Sequence, residues 1–176
     1  MADQTKSSFE RAMSLAALSG LKIALGPAFL RTSQSHSGAK NWVMGAIGEM
    51  VLDKVGIFPS RFRPMLLIPH TLAGAWVARE SMKHDGEEGS ATSAAAMGAV
   101  VAAGVACVAP MVRISANRVL GIPDFVLGLA EDYLALRLGT QAMDMSMDQV
   151  ADAARESVDE VKGAVMPALQ SVGVGA

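Results

Sequence analysis

Residues 91–112 read ATSAAAMGAVVAAGVACVAPMV, 22 consecutive positions without a charged side chain. About 20 helical residues, rising 1.5 Å each, cross the ~30 Å hydrocarbon layer of a bilayer. The stretch is therefore long enough to span. It closes on Pro110 and Arg113, a helix breaker and a charge that requires water or a partner. Its side chains are small: Gly98, Gly104 and the surrounding alanines let a neighbouring backbone come close. Helices associate in this way where water drives nothing together.

Outward from this segment lie four more apolar stretches, each with an irregularity. Residues 12–30, preceded by Arg11, contain Lys22 and then the breaker Gly26-Pro27, after which no clear small-x-small cleavage site follows. The stretch reads as a retained helix rather than a signal peptide. Residues 42–58 carry Glu49 and Asp53, and residues 119–138 carry Asp124, Glu131 and Asp132. Residues 64–78 number only 15 and hold Pro69-His70, which predicts a short, broken or re-entrant segment. Trp42 and Trp76 sit near segment ends, where indoles anchor at headgroup level. The connections are polar: 31–40 is serine-rich, 59–64 has prolines at both ends around Arg61 and Arg63, and 79–90 is the natural midpoint.

Composition agrees with a membrane domain. Charged residues are 18% of the 176, against about 25% in a soluble domain, and mean hydropathy is +0.33. Aromatics are only 5%, while glycines number 17. A net charge of −2 and the lack of a basic arm exclude a nucleic-acid footprint. The single Cys107 excludes an intrachain disulfide and, within the most apolar run, reads as packing. Lysines and arginines are spread over nearly every loop, so orientation is not set.

After Gly139 the pattern changes. Met147, Val150, Ala154, Val158, Val161, Val165 and Leu169 recur at helical steps between acidic residues, which predicts an amphipathic helix ending near Pro167. Its acidic face suits packing against its own membrane domain or a partner helix better than anionic lipid. The chain thus divides into a polar segment 1–11, a membrane domain 12–140 and a tail 141–176. A weak repeat relates 12–79 to 91–139. Gly20, Pro27, Arg31 and Glu49 match Gly104, Pro110, Arg113 and Glu131, with 18 residues from Arg to Glu in both halves. Inverted repeats with interrupted helices are how many transporters build a midplane site.

The embedded acids are the best candidates for function, because a carboxylate in hydrocarbon costs about 2.5–3.5 kcal/mol at a helix centre. Gly45, Glu49 and Asp53 lie on one helical stripe, and Gly128, Glu131 and Ala135 make a similar one. Asp132 points about 100° away from Glu131. Arg31, Arg113, Arg118 or Lys54 would pair with these acids as intramembrane glue. Alternatively, Glu49, Asp53, Glu131 and Asp132, with His70, would bind an ion or exchange protons. Met143, Met145 and Met147 read as a flexible helix entry rather than a copper site. No metal-ligand spacing, cofactor motif or enzyme signature such as Gly-x-Ser-x-Gly is present.

The order of these features resembles the small bacterial membrane family catalogued as domain of unknown function 4126. The resemblance rests on Ser19-Gly20 through Pro27, on Glu49 with Asp53-Lys54 and Pro59, on Pro110 through Arg118, and on Glu131-Asp132, and covers residues 12–140. It implies a polytopic protein of the bacterial inner membrane with no established activity. The expectation is an all-α membrane bundle of about four spans plus one short segment. Its partners would be the lipid bilayer and a homo-oligomer or larger complex. It would serve as a structural or accessory subunit, or alternatively as a small transporter or channel.

Overall fold

The computed structural model describes the backbone of residues 7–54 and 64–171 and the side chains of 7–54 and 67–163. Within these residues the fold is all-helical, with seven α-helices and no strand. In order they are α1 (Ser8–Leu21), α2 (Leu25–Ser33), α3 (Ala39–Lys54), α4 (Pro64–His84), α5 (Ala91–Leu120), α6 (Asp124–Ala142) and α7 (Met147–Ser171), with a 3-10 turn at Glu88–Ser90 before α5. The 59–64 turn, the end of the 42–58 segment and the last side chains of the tail lie outside the described residues.

α1, α4 and α5 form the centre of the bundle, and α2–α3 and α6–α7 pack around it. The α4–α5 seam is built from small residues. Ala91, Ala94, Gly98, Ala102 and Ala106 make the buried stripe of α5. Where the helices cross, Gly98 faces Gly74. A Cβ on Gly98 would stand 2.6 Å from the Gly74 carbonyl oxygen and 2.5 Å from the Ala78 Cβ. Removing Cβ from both crossing points lets the two backbones touch, which is the close approach foreseen from composition.

The opposite face of α5 points outward. Val100, Val108, Met111, Val112 and Val119 are 55–80% exposed, and Cys107 is exposed with them, so its expected packing inside the chain is not what is found. α5 is longer than its uncharged run because Pro110 and Arg113 lie inside it. Arg113 finds acid partners in place of water, and the helix closes only at Gly121, whose φ of +66° gives a left-handed cap. Together with the preceding turn, α5 forms the one described helix that is long and apolar enough to cross a membrane.

Other boundaries depart from hydropathy. Residues 12–30 are not one helix. Lys22 adopts extended backbone (φ −140°, ψ 127°), separating a 14-residue α1 from a 9-residue α2. Pro27 causes no break, because in the first turn of α2 its missing N–H has no helical acceptor to lose. Residues 64–78 are likewise not a short or broken segment, for α4 runs 21 residues through Pro69 and onward to His84. The proline sits only five residues from the start of the helix, and the polar 79–84 stretch continues the same helix rather than forming a loop. α7 runs past Pro167 to Ser171.

The tail docks back on the domain. α7 rests on α3, where Lys40 Nζ reaches Glu160 at 2.6 Å and Glu156 at 3.1 Å. Hydrogen bonding, first to Glu160 and then to Glu156, holds the Lys40 ammonium above its ordinary value of 10.5. The stabilisation is complete below that value and is lost as pH rises through the higher folded one. Limited proteolysis of α7 should therefore accelerate above about pH 10.5 in the native chain. In Lys40→Met that pH step should be absent, and an identical step in both proteins would refute the assignment.

Candidate functional site

Each half of the chain contributes acids to one buried ionic network, centred on the break between α1 and α2. The Gly45–Glu49–Asp53 stripe of α3 lies against this break. A Cβ on Gly45 would come 3.1 Å from that of Ala24, so the stripe approaches closely. Glu49 Oε2 accepts from the Ala24 backbone N–H (3.4 Å), placing a carboxylate at the start of α2, where unsatisfied N–H groups carry partial positive charge. One turn on, Asp53 Oδ2 accepts from Lys22 Nζ (3.0 Å) and from Arg113 Nη1 (2.9 Å).

Lys22 is the centre of the network. It is 2% exposed, and its Nζ lies 3.5 Å from Asp132 Oδ1 and 3.9 Å from Glu131 Oε1 besides its bond to Asp53. A buried ammonium is tolerated only when paired in this way. Its extended backbone explains the helix break, since it turns the side chain inward among acids from α3 and α6.

α6 supplies the other wall. Lys54 Nζ donates to Asp132 Oδ2 at 2.6 Å. Arg113 grips Asp124 through Nε and Nη2, both at 2.7 Å, in a bidentate pair that stacks α5 on the first turn of α6. Its Nη1 also lies 3.8 Å from Glu131 Oε2. Gly128 makes room for this arrangement, for a Cβ there would meet Arg113 Nη2 at 2.9 Å and Lys54 Nζ at 3.0 Å. The inward small-residue stripe of α6 is Gly128, Asp132, Ala135 and Gly139, so Asp132 rather than Glu131 takes its polar position. Glu131, although 100° round the helix, still reaches the same cations.

The network thus joins Asp53, Glu131, Asp132 and Arg113 as the sequence pattern suggested, with Glu49 at its edge. Lys22, Lys54, Asp124 and Gly128 complete it. Of these, Lys22 had the clearest signal, since a lone cation in the middle of an apolar run must find an acid. Arg31 does not take part. Its guanidinium lies 5.0 Å from the Trp76 ring centroid, and its Nη1 donates to Gln34. Trp76 in turn stacks on Trp42, with centroids 5.7 Å apart. The indoles are thus engaged with each other and with a cation. Arg31 and Arg113, equivalent in the repeat, therefore play different parts. His70 Nδ1 sits 2.7 Å from the Ser19 carbonyl oxygen and ties α4 to α1.

Chemically the site is an ionic clamp, in which Lys22, Lys54 and Arg113 face the carboxylates of Asp53, Asp124, Glu131 and Asp132. Cations from the α1–α2 junction, α3 and α5 alternate with carboxylates from α3 and α6, so these elements meet in one electrostatic knot. Among the described residues no group of three or more His, Cys, Asp or Glu is arranged to hold a metal ion. No protein-family model, curated protein or solved structure matches this chain.

Proposed function

We propose that this chain is a small polytopic protein of a bacterial inner membrane. In this reading it acts as a structural or accessory subunit and assembles in the bilayer with copies of itself or within a larger complex. The observation that carries the reading is the setting of α5. Its best 18-residue window has a mean hydropathy of 2.1, yet only 17% of that window is buried. A soluble protein would enclose such a helix, whereas here most of its apolar surface faces out and needs hydrocarbon or a partner to cover it. Phe125, Leu129, Tyr133, Leu134 and Leu138 extend the exposed apolar surface along α6. The resemblance to domain of unknown function 4126 agrees with this reading. In it, α4 and α6, of 21 and 19 residues, would lie at membrane depth beside α5. The α6 carboxylates Asp124, Glu131 and Asp132 would be sheltered by the ionic network.

The subunit role follows from what the acids do. Asp53, Asp124, Glu131 and Asp132 all lie against Lys22, Lys54 or Arg113, an arrangement that fixes helix register. The apolar cavity between α2, α3, α6 and α7 is lined by none of these charged residues. One detail favours transport as a second reading, namely that Asp132 Oδ1 is buried without a hydrogen bond. Reconstitution into liposomes separates the two. For a subunit, the protein resists alkaline extraction, and the native chain, Glu49→Gln and Glu131→Gln show the same background proton and cation flux. Flux in the native protein that either substitution abolishes would establish transport, and extraction by alkali would remove the membrane assignment.

A further inference from the structure

A second site lies apart from the charges, between α2, α3, α6 and α7. It is a partly enclosed cavity of about 220 Å³, walled by Phe29, Val43, Met50, Leu136, Met145 and Ala154 among other apolar side chains. Thr32 is the only residue with a polar side chain on its lining. A buried water needs two to four polar partners, which this wall does not offer. An engineered apolar cavity of about 150 Å³ stays dry and takes up benzene. The present one is larger, and its methionines can adapt to an elongated guest. α7 closes one side and is held there by Lys40 on α3, one turn before the lining residue Val43. At that edge two carboxylates, Glu156 and Glu160, face one ammonium. The edge is therefore net negative and disfavours an anionic head.

We propose that this cavity binds a single unbranched hydrocarbon chain whose head carries no negative charge. The walls are protein on four helices, so the site stands whether or not α5 crosses a membrane. Dispersion and burial supply the affinity, and the guest gains about fourfold for each methylene that enters, until the space is filled. Bulk partitioning into detergent or lipid has no such end point.

The test uses the full chain in digitonin, photolabelled with a ten-carbon alkyl-diazirine alcohol and challenged with unlabelled 1-alkanols of increasing length. Displaceable label should map to α2, α3 and α7. The displacing affinity should climb about fourfold per carbon and then level off. Ala151→Leu and Ala154→Leu, which fill the cavity from α7, should weaken displacement at least tenfold while leaving non-displaceable label on α5 unchanged. Decanoate should displace at least tenfold less well than decan-1-ol. Affinity that rises without levelling, or displacement unaffected by filling, would overturn the site. Decanoate as potent as the alcohol would overturn the head-charge assignment. The chain-length series needs only the native protein, so it decides the matter even if a filled variant misfolds.

Discussion

Lys22→Met should lower the stability of the fold by about 3–5 kcal/mol, the usual loss when one partner of a buried ion pair is removed. Methionine keeps the length and apolar stem of the side chain, so packing changes little and the loss reports charge. Without the ammonium, Asp53 and Asp132 lose a cation 3.0 and 3.5 Å away, in a place where Lys22 itself is only 2% exposed. Denaturant unfolding followed by far-UV circular dichroism measures the effect. Adding Asp132→Asn should recover part of it, because the second change removes a carboxylate left with fewer partners. The two substitutions should therefore be non-additive. A Lys22→Met protein within about 0.5 kcal/mol of the native one, the range of an ordinary surface change, would mean that Lys22 reaches water and that the network is not as described.

The second large effect lies on α5, where two glycines six residues apart should respond with opposite signs. Gly98→Leu places a branched side chain where a Cβ alone would be 2.6 Å from the Gly74 carbonyl oxygen. Backbone cannot rotate away as a side chain can, so α4 and α5 must separate. The cost should be about 3 kcal/mol, at the upper end for overpacking. A Cβ on Gly104 meets nothing within 4 Å. Gly104→Ala should therefore gain up to about 1 kcal/mol from helix propensity alone. Thermal unfolding of the two variants beside the native chain decides the point. A shift of both in one direction would contradict the packing of the seam.

Much of this architecture is legible in the residues. The uncharged run at 91–112 foretells the dominant helix, and the small residues within it foretell a close crossing. The α3 stripe of Gly45, Glu49 and Asp53 is readable because helical spacing stacks positions four apart. The Ser7–Glu10 capping box and the reciprocal Ser146–Gln149 pair mark helix starts by spacing alone. Hydropathy is less informative about boundaries. Helices continue wherever backbone bonds continue, so α4 runs into charged residues and α5 passes through Pro110 and Arg113. The break at Lys22 depends on acids 31 and 110 residues away, which no local window contains. The choice of Asp132 over Glu131 for the inward position depends on how α6 is rotated against its neighbours. Arg31 and Arg113 look equivalent along the chain and separate only because Trp76 is near one and Asp53 near the other.

The placement of Lys22 also sets a timetable for synthesis. Its partner Asp53 follows 31 residues later, whereas Asp132 follows after 110. At about 5–20 residues per second, the emerging amino-terminal part waits roughly 5–20 s between being made and receiving its last carboxylate. During that interval the Lys22–Asp53 pair is the available arrangement, and Lys54 has no Asp132 to hold. The electrostatic knot therefore closes late, when α6 arrives. It can form only after the chain has been made through Asp132, 110 residues beyond Lys22.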